Sequence, residues 1–168
     1  MGRSVADTSR ARTLGLEPAT GFLLVRVAEA INRRFVALLA PLGIRPKHLH
    51  VLRYLDTHGS MSQQALADGI AVDPGNLIAT LDELQAAGLI SREVDRTDRR
   101  RRRLQITAGG TRTLHQGLAA SKQADDEILG TLTARQRASL RAAALRAYQH
   151  LRDLPEYAGS EAAWRDRP

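Results

Sequence analysis

Cysteine is absent from the 168 residues, which excludes disulfides, thiolate metal sites and thiol-based redox sensing. Aromatic residues make up only 4% of the chain, and none interrupts its most basic stretch, which argues against the stacking platforms that read single-stranded nucleic acid. No apolar run approaches the roughly 18 residues of a membrane span, and the N-terminus lacks a signal peptide's hydrophobic region. The expectation is a soluble, cytoplasmic protein without membrane contact. Catalytic grammar is missing as well: there is no Gly-x-Ser-x-Gly elbow, phosphate-binding glycine loop, cysteine nucleophile or zinc-type histidine pair. His48 and His50 stand two apart, which on a helix sends them to different sides, and the adjacent carboxylates of Asp125, Asp126 and Glu127 diverge in the same way. The chain reads as a non-enzyme with no cofactor and no metal.

Positive charge is abundant instead. Twenty-five Lys and Arg face 18 Asp and Glu, for a net charge of +7, a balance that favours a polyanionic partner. The charge peaks in Arg99 to Arg103, a block that repels itself and is usually a solvated segment unless a polyanion offsets the cost. Both flanks read as strands. Leu89 to Val94 begins with an apolar pair and ends in a β-branched residue, and Leu104 to Thr107 alternates apolar and polar. Together they predict a β-hairpin with a long basic tip.

Around the hairpin the pattern is helical. Residues 1–19 show no period and read as an N-terminal arm. From Gly21, the residues Leu24, Val27, Ala28, Ile31, Phe35, Leu38, Leu39 and Leu42 recur at three- and four-residue spacing on one stripe of a long helix that ends near Pro41 to Gly43. Pro46 opens a second helix that stops at His58-Gly59. Ser62 caps a short helix from Gln63 to Gly69, and Asp73-Pro74 starts another that buries Leu77, Leu81 and Leu84 before Gly88 ends it. Thr107 caps a long helix to about Ile128, and Thr133 to Gln136 forms a capping box for a last helix with Leu140, Ala144, Ala147, Tyr148 and Leu151 on its inner face. The fold class is therefore mainly α with a small β-hairpin wing, a winged helix-turn-helix in which the second helix enters a major groove and the hairpin tip reaches the flanking backbone. The surplus apolar surface of the terminal helices predicts packing against a second copy.

In this order of elements the chain resembles the MarR family of transcription regulators over roughly Gly21 to Leu154. Asp98-Arg99-Arg100 followed by Leu104-Gln105-Ile106-Thr107 is similar to the family's wing pattern, and LQAAGLISREVDRTDRR to its recognition-helix end running into the wing. The resemblance implies a homodimer on an inverted-repeat operator in double-stranded DNA, with residues 20–44 and 108–155 forming the dimerisation region, 45–107 the DNA-binding domain and 156–168 a tail. It further implies a ligand-responsive regulator, a repressor released by a small effector of aromatic or anionic character. Asp98 would hold the wing, Arg99, Arg100, Arg101 and Arg102 would meet phosphates and the minor groove, and Arg103 would turn back toward the sheet. Pro74, Gly75, Asn76, Ala79 and Thr80 are expected on the outward face near the start of the reading helix, with Ser62 and Gln63 beside them. Many relatives carry an arginine at the position of Ala79 and a basic residue at that of Glu83, so selectivity here is expected to come more from groove shape and the wing than from base edges. Arg26, His48, His50 and Leu52 are the candidates for the effector pocket. A sequence-indifferent DNA-packaging protein without an effector is the alternative.

Overall fold

The computed structural model describes residues 19–94 and 102–154. Helix α1 (Thr20–Leu39) continues into a 3-10 turn (Ala40–Leu42), and Gly43, at φ 67°, supplies the left-handed residue that reverses the chain. Helix α2 (Pro46–His58) follows, with proline at its first position, where the missing N–H costs nothing. A two-residue strand, β1 (Met61–Ser62), leads into α3 (Gln63–Ile70), capped by the Ser62 hydroxyl, which accepts from the Ala65 amide at 3.1 Å. The turn to α4 (Pro74–Ala86) passes through Ala71 at φ 51°, a left-handed conformation taken without glycine. Strands β2 (Ile90–Val94) and β3 (Arg102–Ile106) come next, then α5 (Ala108–Ile128) and α6 (Ala134–Asp153).

The helices expected from periodicity are all present, with ends within a few residues of those read from the caps. The sheet differs. It has three strands in the order β1-β3-β2, all antiparallel, because Met61 and Ser62 pair with Leu104 and Arg103 on the free edge of the expected hairpin. This third strand clamps the entry of α3 to the base of the wing.

One core sits between α2, α3, α4 and the sheet, built from Leu52, Leu55, Leu66, Leu77, Leu81, Leu84, Ile90 and Leu104. Leu39 and Leu114 extend it to α1 and α5, which pack along one another and share a two-pronged ion pair, Arg34 Nε to Glu127 Oε2 at 2.5 Å and Nη2 to Oε1 at 2.9 Å. Gly110 lets α5 start hard against the sheet, since a Cβ there would lie 2.1 Å from the Leu89 carbonyl oxygen. Thr107 welds the same junction: its hydroxyl caps the Gly110 amide at 3.0 Å and donates to the Gly88 carbonyl at 2.7 Å. By contrast, α6 buries none of its described residues. Leu145, Tyr148 and Leu151 are 46%, 49% and 40% exposed, and Phe22, Leu23, Leu24 and Val25 on α1 are 40% to 56% exposed.

Candidate nucleic-acid interface

Helix α4 takes its direction from a buried stripe. Leu77, Thr80, Leu81 and Leu84 recur at three- and four-residue spacing and are all sealed in the core. The opposite face carries Gly75, Ile78, Ala79 and Asp82, all exposed. Its start is anchored by Asp73, whose Oδ1 accepts from the amides of Gly75 at 2.8 Å and Asn76 at 3.3 Å. A Cβ on Gly75 would sit 2.9 Å from that same oxygen, so a side chain here would make the Asp73 carboxylate shift slightly.

Pro74, Gly75, Asn76 and Ala79 are exposed near the start of α4, as expected, with Ser62 and Gln63 half-buried at the start of α3. Thr80 is not. It is only 5% exposed and faces the core, because it lies three residues after Leu77 and four before Leu84 and so falls inside the apolar stripe. The bulky group that does reach outward is Ile78, 48% exposed, which is not among the residues expected on that face.

In the wing, Arg102 is exposed opposite Val94 at the distal end of the β2–β3 ladder. Arg103 turns back: its guanidinium donates from Nε to the Ser60 hydroxyl at 3.0 Å and from Nη2 to the Ser60 carbonyl, tying β3 to the loop before β1. Arg92 on β2 reaches Asp82 Oδ1 on α4 at 2.7 Å, which fixes α4 to the strand pair and partners the carboxylate at the end of the outward face. Asp98, Arg99, Arg100 and Arg101 lie outside the described residues.

A cleft opens on the other side of α4, about 210 Å³, lined in part by Gly43, Arg45, His48, Glu83 and Ala87. Of the four residues expected to meet an effector, it contains His48 alone. Arg26 lies on the exposed part of α1, paired with Glu29 at 2.9 Å; His50 is exposed, and Leu52 is fully buried in the core. Helical phase sends His50, two positions after His48, to another side of α2; Leu52, four positions on, shares the inward face of His48 but is sealed in the core.

Glu83, read from sequence as an acidic residue where DNA would be met, faces this cleft instead. Its Oε2 gathers the Arg45 guanidinium, His48 Nε2 at 2.5 Å and Lys47 Nζ at 3.6 Å. Hydrogen bonds from Arg45 and then His48 hold the carboxyl at about 2. His48 Nδ1 accepts the Arg45 backbone N–H at 3.2 Å, so the ring proton resides on Nε2, facing Glu83. Burial pushes the imidazole below its usual value against the opposing pull of Glu83, in keeping with a neutral ring wedged at the start of α2. Arg45, Lys47 and Glu83 are the participants that sequence reasoning missed as a group; the spacing of Arg45 and His48, at the cap and third position of α2, was the available signal. Among the described residues no group of His, Asp or Glu is disposed to hold a metal ion.

This arrangement matches known proteins closely. The MarR family sequence model matches residues 44–101. An HTH-type transcriptional repressor of Mycobacterium tuberculosis, Rv2887, is 30% identical over 116 residues, which span 69% of this chain and 84% of that protein. The crystal structure of the MarR family protein Rv2887 in complex with DNA superposes with a TM-score of 0.66 at 26% identity, covering 78% of this chain and 98% of the other. A mutant Escherichia coli MarR complexed with operator DNA gives a TM-score of 0.61 at 25% identity, covering 76% and 91%. The inward stripe that orients α4, the strand pair that follows it and the likeness to these proteins in both sequence and fold lead to one conclusion: the chain belongs to the MarR family of winged helix-turn-helix, DNA-binding transcription regulators.

Proposed function

We propose that this chain is a cytoplasmic, homodimeric repressor that binds an inverted-repeat operator in duplex DNA and is released by a small aromatic or anionic effector. The observation that carries the reading is the outward face of α4, where Gly75 and Ala79 leave room for close approach to a groove, tied through Arg92 and Asp82 to a wing rich in arginine. Pro74, Gly75, Asn76 and Ala79 would enter the major groove, Ser62 and Gln63 would meet its edge, and Arg99 to Arg102 would neutralise flanking phosphates, with Asp98 bracing the wing. Relatives whose structures were solved on DNA support this assignment.

Dimerisation would use residues 20–44 and 108–155, leaving 45–107 as the DNA-binding unit, with the arm at 1–19 and the tail at 156–168 outside both. Support comes from the apolar surface left open on α1 and α6. A two-fold pair sets its reading helices about 34 Å apart, which dictates an inverted repeat. The effector would act through the cleft at His48 and Glu83, where α2 and α4 meet, by binding more tightly to the shape that DNA rejects.

Footprinting the purified protein on the DNA upstream of its own coding sequence, with and without benzoate-type acids, tests the reading. A protected inverted repeat that disappears with one compound supports it. Uniform protection that no compound alters points instead to a DNA-packaging protein.

A further inference from the structure

Resting on that functional reading, we infer that Ile78 is a base-reading residue, and that it selects a thymine in each half-site through the 5-methyl group in the major groove. Among the described residues, the large hydrophobic side chains that stand exposed lie on the terminal helices α1, α5 and α6, with one exception. That exception is Ile78, 48% exposed, and within residues 45–107 it stands alone among the described residues. An exposed isoleucine in a lobe that otherwise buries its leucines suggests a surface that is covered in use.

Its neighbours say what covers it. Ile78 shares the outward face of α4 with Gly75 and Ala79, which bear no side chain or a methyl alone, so it projects further than either. At the end of that face Asp82 is engaged by Arg92 at 2.7 Å. A helix face of this kind, laid in a major groove, presents to the bases the amide of Asn76 at its start and the branched alkyl group of Ile78 beyond it. Isoleucine neither donates nor accepts a hydrogen bond, so the edges of guanine, cytosine and adenine offer it nothing specific. Thymine differs by its C5 methyl, the one apolar group on the major-groove edge of the unmodified bases. Direct readout at this helix, which lacks an arginine at Ala79, thus gains an apolar component beside the amide of Asn76.

The chemistry is tested by deleting the methyl from the DNA. Deoxyuridine keeps the hydrogen-bonding edge of thymidine and lacks only that group. Once the operator is defined by footprinting, each thymine is replaced in turn, symmetrically in both half-sites, and affinity is measured for the wild-type protein and for Ile78→Ala and Ile78→Val. At one position deoxyuridine should weaken wild-type binding about fourfold per half-site, the value of about one buried methyl. Ile78→Val should retain part of that loss, and Ile78→Ala should show none at that position while responding normally elsewhere. Since Ile78 is outside the core, both variants should unfold as the wild type does, which circular dichroism checks. A specific operator complex in which no thymine shows a methyl dependence removed by Ile78→Ala overturns the inference while leaving the functional reading intact. Failure to bind any duplex specifically overturns both.

Discussion

Replacing Glu83 with alanine should destabilise the protein by about 2 kcal/mol, and replacing it with glutamine by about half as much. Holding a carboxyl at about 2 instead of 4.5 would correspond in full to about 3 kcal/mol, at about 1.4 kcal/mol per tenfold change in proton affinity. The Glu83 side chain is 40% exposed, so solvent screening reduces this to about 1 kcal/mol. Alanine adds a second cost, because the buried His48 Nε2–H loses its acceptor, worth about 1 kcal/mol or more. Glutamine retains an acceptor and loses only the charge. The pH dependence has a defined sign. A depressed carboxyl contributes in full above its unfolded value near 4.5 and loses that contribution as pH falls toward about 2. The carboxyl's share of the gap between wild type and Glu83→Gln should therefore be constant from neutrality down to about pH 5 and close in acid, while below 6.5 the loss of the Glu83 charge, which favours the imidazolium, widens the gap through His48. His48 acts in the same direction, since its value is depressed from 6.5 and protonation in the unfolded chain costs stability below that point. Urea unfolding at fixed protein concentration across this range measures both effects. A Glu83→Ala protein within about 0.3 kcal/mol of wild type at neutral pH would refute the reasoning, as would a glutamine deficit that persists in strong acid.

Three further perturbations test other parts of the molecule. Gly110→Ala drives a methyl into the Leu89 carbonyl and to within 2.7 Å of Ile106 Cγ1, so it should cost about 1–3 kcal/mol in urea unfolding; a neutral outcome would mean that α5 does not start hard against the sheet. Leu145→Glu and Leu151→Glu place charge on the open face of α6 and, if the proposed dimer uses that face, should leave a monomer in sedimentation velocity with helical content retained; a dimer that persists in the variant would relocate the interface. Alanine at Arg100 and Arg101 together should lower the salt slope of operator binding by about two in log–log terms, one for each phosphate contact, and an unaltered slope would remove these arginines from the interface.

Most of the architecture was legible because long elements announce themselves. The stripe in α1, the Asp73-Pro74 start of α4 and the Thr133 capping box each combine periodicity with an end signal, and each lies where the sequence puts it. Strand β1 was invisible because two residues, Met61 and Ser62, carry no period; pairing with β3 makes them a strand. The misplacement of Thr80 and the neglect of Ile78 share one cause. Phase decides over polarity here: the spacing of Leu77, Leu81 and Leu84 encloses Thr80 and leaves Ile78 outside. The cleft beside α4 was the least legible: Arg45 and His48 stand three apart at the start of α2, but their meeting with Glu83 spans 38 residues of chain, which local spacing does not encode.

The central claim is sequence-selective recognition of duplex DNA by α4 and its wing. Its most direct test is fluorescence anisotropy at physiological salt, comparing a duplex from the chain's own upstream region with a scrambled duplex of equal length and composition. A regulator of this design should prefer the first by about a thousandfold or more; equal affinities would contradict it.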